Sequence, residues 1–221
     1  MEAGRLLERQ RLSGADLNSA SNLHAFRKLF RSAPTTTARA GSQLLAHRLL
    51  TPLGPMIACA TDRALCLLEF ADRRMLERQL RRLCRRMGAL PTPGANAVLD
   101  ALAREIDGYF EGKLHAFTVP FEQPGSPFQQ RVWERLLRIP YGETRSYGQL
   151  ARELDLPGHA RAVARANGDN GLAILVPCHR VVGADGALTG YGGGLWRKRR
   201  LLDHEAAHRP HLATSAVSVS N

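Results

Sequence analysis

The chain has 221 residues and 44% of them are apolar, enough to build a real core as one larger domain or two small ones. Its formal net charge of +11 suits contact with a polyanion, because neutralising phosphates releases their counterions. No stretch approaches the roughly 20 apolar residues of a membrane span, and the polar N-terminus lacks the apolar core of a secretory signal, so no membrane and a cytoplasmic location are expected.

Residues 1–31 are polar and helix-prone, and 32–43, rich in Ala, Thr and Arg with Pro34 and Gly41, read as a linker. From about Leu44 the pattern turns to strands. Met56 to Thr61 and Ala64 to Phe70 flank the turn Asp62-Arg63 and predict a hairpin. Leu76, Leu80, Leu83 and Met87 then fall at helical spacing. The arginines around them (Arg73, Arg74, Arg81, Arg82, Arg85, Arg86) read as a solvated face. A second helix carries Val98, Leu102, Ile106, Tyr109 and Phe110, and Leu114 to Phe121 is expected to return to the sheet. Residues 44–122 therefore read as a small α/β domain.

The character changes at 123, where a second domain running to 207 is expected, followed by a flexible tail at 208–221. Ser126-Pro127-Phe128-Gln129 is a helix start, with a Ser cap, Pro in the first turn and Gln placed to close a capping box. That helix stops before Pro140. Ser146 and Gln149 open another, to about Leu154, and a third follows from about His159 to Gly168. Two short helices joined by the turn Leu156-Pro157-Gly158 make a helix-turn-helix. Its second helix alternates Ala160, Ala162, Ala164 and Ala166 with Arg161, Val163 and Arg165. Such an alanine face lets the backbone press close to a minor groove, though alanine helices also arise simply because they pack tightly.

Four cysteines are present. Cys59, Cys66 and Cys84 lie in apolar patterns and read as small core residues. None forms a CxxC pair and no His sits at ligand spacing, so no metal is expected. Cys178 differs. The apolar run Ala173-Ile174-Leu175-Val176, read as a strand, leads into Pro177-Cys178-His179-Arg180-Val181. Cationic neighbours or a base lower a thiol's pKa and make it a nucleophile. On an extended strand His179 would point away from Cys178, so a bridging water is one way to connect them. Glu205, on a last helix from Trp196 to about Ala207, is the best-placed carboxylate to orient the imidazole. The loop Gly190-Tyr191-Gly192-Gly193-Gly194 permits close backbone approach to a ligand.

The complete signature PCHRV at Pro177 to Val181, in a match running from Pro127 to Glu205 and more loosely back to Leu49, resembles the methylated-DNA–protein-cysteine methyltransferase (O6-alkylguanine-DNA alkyltransferase) family. The resemblance implies an α/β fold: a small ribonuclease H-like domain, then a winged-helix-like alkyltransferase domain that swings the damaged base out through the minor groove. It implies that Cys178, His179 (through water) and Glu205 are thiolate, base and orienting carboxylate. By the same resemblance, Tyr147, Asn170, Val181, Tyr191, Gly192 and Lys198 hold the base. Arg161 fills the vacated stack, and Ala160, Ala164, Arg165 and Arg180 face DNA. The implied partner is double-stranded DNA containing O6-alkylguanine, with O4-alkylthymine as a second substrate. Transfer is single-turnover and irreversible, without a cofactor, by a monomer.

Asn18 to Phe30 resembles the closing helix-turn-helix of AraC-type regulators, the module that precedes the alkyltransferase in adaptive-response proteins. A transcriptional regulator that senses alkylation is therefore an alternative, and a Cys-His-Glu hydrolase a third.

Overall fold

The structure, a computed structural model, describes residues 43–210. The regulator-like segment at 1–31, nearly all of the 32–43 linker and the tail beyond 210 lie outside the described residues. Strands β1 (Leu45–Thr51), β2 (Gly54–Ala60) and β3 (Leu65–Phe70) form an antiparallel meander, and a two-residue β4 (Thr92–Pro93) pairs parallel to β1, giving the order β3-β2-β1-β4. The β2–β3 hairpin turns at Asp62-Arg63, where the Thr61 hydroxyl accepts the amides of Arg63 and Ala64. β4 escapes the sequence pattern because two residues, one of them proline, carry no periodicity.

Each face of the sheet is covered by one helix. α1 (Leu76–Met87) presents Leu76, Leu80 and Leu83 to Ile57, Cys59 and Leu67. α2 (Ala97–Phe110) presents Val98, Leu99, Leu102 and Ile106 to Met56, Ala58 and Leu68. Burial on both faces explains why β2 and β3 read as unbroken apolar runs rather than alternating ones. Cys59 and Cys66 are buried between sheet and α1, and Cys84 is a buried residue of α1 itself. Each makes the small contribution to packing that its sequence setting suggests.

The returning strand expected over Leu114 to Phe121 does not form beyond a single bridge between Leu65 and Phe121. The carboxylate of Glu105 accepts the amides of Thr118 and Val119 instead, so a side chain satisfies donors that a ladder would have used.

The second half is helical. α3 (Pro127–Leu137) and α4 (Tyr147–Glu153) each begin with a complete capping box, Ser126 with Gln129 and Ser146 with Gln149. α5 (Ala160–Gly168) follows α4 through a tight turn and packs on α3, where Trp133 Nε1 donates to Ala166 O at 2.9 Å. β5 (Arg145–Ser146) and β6 (Val181–Val182) pair in parallel, and α6 (Leu195–Ala207) closes the fold. One apolar core runs through both halves, from Met56 and Leu102 to Leu136, Val163, Val176 and Leu201.

The run Ala173 to Val176 is not a strand. It is a buried turn in which Ile174 has φ +73° and Val176 N–H donates to Leu172 O at 2.9 Å. Its residues are apolar because they are enclosed, which a sequence pattern cannot distinguish from strand pairing. Cys178–Arg180 likewise form one turn of 3₁₀ helix rather than extended chain.

Candidate active site

The reactive turn is anchored by one side chain. Asn170, 1% exposed, follows α5 and donates through Nδ2 to Val176 O at 2.9 Å and to the Cys178 sulfur at 3.1 Å. Its Oδ1 accepts Leu172 N–H at 2.9 Å and Gln123 Nε2 at 2.8 Å. The last residues of α5 and the cysteine are thereby held in one hydrogen-bonded unit. Asn167 adds a weak bond to Cys178 O at 3.4 Å.

Cys178 is buried on the wall of a cavity of about 380 Å³ that opens between the C-terminal part of α5, the glycine loop and the β3–α1 connection. Tyr147, Ala164, Tyr191 and Gly192 share this lining. Burial pushes the Cys178 thiol up. The Asn170 amide pulls it down, Glu69 raises it further, and the cations Arg73 and Lys198 lower it. The resting group is therefore a thiol that needs a base.

The neighbouring imidazole in the sequence is His179. It is fully enclosed, and burial lowers its pKa despite the neighbouring Glu205. Nε2 lies 2.8 Å from Glu205 Oε1, and with a carboxylate there Nε2 carries the proton. Nδ1 is left as a buried lone pair with no partner among the described residues. No direct bond joins it to Cys178.

Glu205 is the hub of this arrangement. Besides His179 it accepts Arg180 Nε at 2.8 Å and Nη2 at 3.0 Å, Tyr109 OH at 2.9 Å and Gly142 N–H at 3.0 Å. Burial alone would raise its carboxyl, but His179 and Arg180 together hold it well below the usual carboxylate range. Arg180 also donates to Ile139 O at 2.6 Å and is itself buried. The sequence expectation that Arg180 faces DNA is thus corrected: its guanidinium is consumed by Glu205, as a buried charge demands.

Lys198 is likewise internal. Its ammonium donates to the carbonyls of Val181 and Thr189, and burial pushes its pKa down to about 8. Val181 O is therefore already engaged by Lys198. Tyr147 is half-buried, with its hydroxyl 3.5 Å from Gly190 O. Tyr191 OH is buried without a partner among the described residues. On α5, Arg161 and Arg165 are exposed while Ala160 and Ala164 are half-buried, so the helix offers solvent a small-residue surface edged by two cations.

Sequence reasoning passed over two residues of the site. Glu69 on β3 and Arg73 just after it line the same cavity as Cys178 and pair with each other. Arg73, read as part of a solvated face, has a side chain only 6% exposed. The signal lay in Glu69 itself, a carboxylate one residue from the end of an otherwise apolar strand.

A sheet-and-helix domain joined to a helix-turn-helix, with a buried thiol, imidazole and carboxylate behind the second helix, defines a class of DNA-directed proteins that react through cysteine. Residues 127–207 match the family model described as 6-O-methylguanine DNA methyltransferase, DNA binding domain, and residues 45–123 match its ribonuclease-like domain. The methylated-DNA–protein-cysteine methyltransferase of Mycobacterium leprae is 47% identical over 155 residues, covering 70% of this chain and 88% of that one. That of Shigella flexneri is 41% identical over 170 residues, covering 74% and 96%. Among solved structures, Mycobacterium tuberculosis OGT in complex with DNA superposes with a TM-score of 0.64 at 42% identity, covering 76% of this chain and 96% of that one. The chain belongs to the methylated-DNA–protein-cysteine methyltransferase family.

Proposed function

We propose that this protein repairs duplex DNA directly by accepting the alkyl group of O6-alkylguanine on Cys178, once per molecule. The observation that carries the reading is the relay behind the thiol: Cys178 on the cavity wall, His179 with a free buried Nδ1, and Glu205 fixing the ring from the far side. The exposed face of α5 approaches the minor groove, with Arg161 and Arg165 at its edges. The alkylated base leaves the stack and enters the cavity beside Tyr147 and Tyr191, paying an unstacking cost of a few kcal/mol.

The thiol proton passes through water to His179 Nδ1, and Glu205 stabilises the resulting imidazolium. Sulfur then attacks the alkyl carbon in line. An S–C bond forms, the C–O6 bond breaks, and its electron pair goes to guanine, which recovers a proton from the relay. The product thioether is not opened by thiol exchange, so the protein is consumed. On this reading the transfer itself uses residues of a single chain.

Labelled alkyl groups should move from an O6-methylguanine duplex to a Cys178 peptide with a stoichiometry of one, and Cys178→Ala should bind the duplex but accept nothing. Sustained turnover beyond one equivalent would sink the reading.

A further inference from the structure

We infer that Arg73 is a substrate-binding residue of the reactive cavity, presenting its Nε–H to a ring nitrogen of the alkylated base. The inference rests on the function proposed above and concerns a residue outside the cysteine signature.

Arg73 lies on the connection between β3 and α1. Its Nη1 donates to the Glu69 carboxylate and, at 3.0 Å, to Asn170 O; Nη2 donates to Gly168 O at 2.6 Å. These three acceptors fix the plane of the guanidinium. The remaining donor, Nε, is buried and has no partner among the described residues. A charged group's N–H left unpaired costs its full desolvation, so such a donor calls for an acceptor. The open space at that side chain is the cavity it shares with Cys178.

The glycine loop supports the same assignment. A Cβ on Gly192 would fall 2.5 Å from Arg73 Nε and Cζ, so the loop backbone passes directly against the guanidinium. With no side chain at 192, only loop backbone lies over the guanidinium there. A base seated with its alkyl carbon at the Cys178 sulfur has its ring beside both residues. Its O6 is an ether oxygen turned toward sulfur, whereas its ring nitrogens are stronger acceptors. A fixed cation at the ring also favours the leaving guanine, which gains negative charge as the C–O6 bond breaks.

The test compares single-turnover transfer from duplexes carrying O6-methylguanine or its 1-deaza, 3-deaza or 7-deaza analogue, in the wild type, Arg73→Met and Arg73→Lys. One analogue is expected to slow the wild type about tenfold or more, the size of a lost hydrogen bond to a charged group. That same analogue should slow Arg73→Met no further. Affinity for undamaged duplex serves as the control and should not change. Equal rates for all analogues in the wild type would overturn the inference, as would an unchanged pattern of analogue effects in Arg73→Met or, if that variant does not fold, in Arg73→Lys. A purely structural clamp gives that last result, with all rates lowered in proportion. If the wild type transfers no methyl group at all, the functional reading fails instead.

Discussion

At the scale of single residues the site is a balance of buried charges, and two carboxylates shift in opposite directions. Glu69, 1% exposed, is pushed up by burial to about 7 from 4.5, although Arg73 and the Phe70 amide oppose this. Between those values the folded state holds a proton that the unfolded state has lost. The stability from this group is complete below about 4.5 and is lost as pH rises through about 7, an effect of at most about 3 kcal/mol. Glu69→Gln should flatten that part of the stability curve, measured by urea unfolding on either side of the window. Glu205 has the reverse sign. Its depressed carboxyl stabilises the fold above the usual carboxylate range, and that stability is lost as pH falls toward the folded value. Glu205→Gln leaves Arg180 buried without its counter-charge. It should cost about 3–5 kcal/mol by denaturant titration.

Among the elements, the turn of the helix-turn-helix is set by backbone rather than side-chain chemistry. After α4, Leu156 N–H donates to Ala151 O at 2.9 Å and Asp155 N–H to Arg152 O at 3.0 Å, a Schellman motif with Asp155 at φ +59°. Asp155 is exposed and its side chain makes no described contact, so Asp155→Gly should raise stability by about 0.5–1 kcal/mol in thermal unfolding. On α5, Arg161→Ala should weaken duplex binding and transfer by about 1–3 kcal/mol while leaving transfer from a free O6-alkylguanine base unchanged. An equal loss with the free base would place Arg161 in the cavity instead. Capping boxes made α3 and α4 legible in the sequence, because Ser126 and Ser146 act on residues three positions away. The turn at Ala173 to Val176 was not legible. Its conformation depends on Asn170 bonding across it and on Leu68 of a distant strand pairing with Leu172. Arg73 was misread for the same reason: its acceptors at Gly168 and Asn170 lie almost a hundred residues away, and only the fold brings them near.

For the whole molecule, polar contacts tie the two halves together across their seam. Arg197 of α6 donates to Leu53 O at 2.7 Å and makes a bidentate pair with Asp72, while its guanidinium stacks 4.2 Å over the Phe70 ring. Gln79, Gln123 and Arg73 all reach Asn170 from the other side. The two matched segments should therefore unfold in a single transition when the fluorescence of Trp133 and Trp196 and far-ultraviolet dichroism are followed together; separated midpoints would show independent domains. The outer margin of β3 has a consequence for anyone dividing this chain. Leu68 N–H donates to Gly171 O at 2.9 Å and Ala173 N–H to Leu68 O at 2.8 Å, so the reactive turn doubles as the cover of a strand edge that is otherwise paired only at Leu65 among the described residues. Cutting after residue 123 would strip that cover from an apolar ribbon. The liberated fragment should then recruit copies of itself through the bare edge and precipitate.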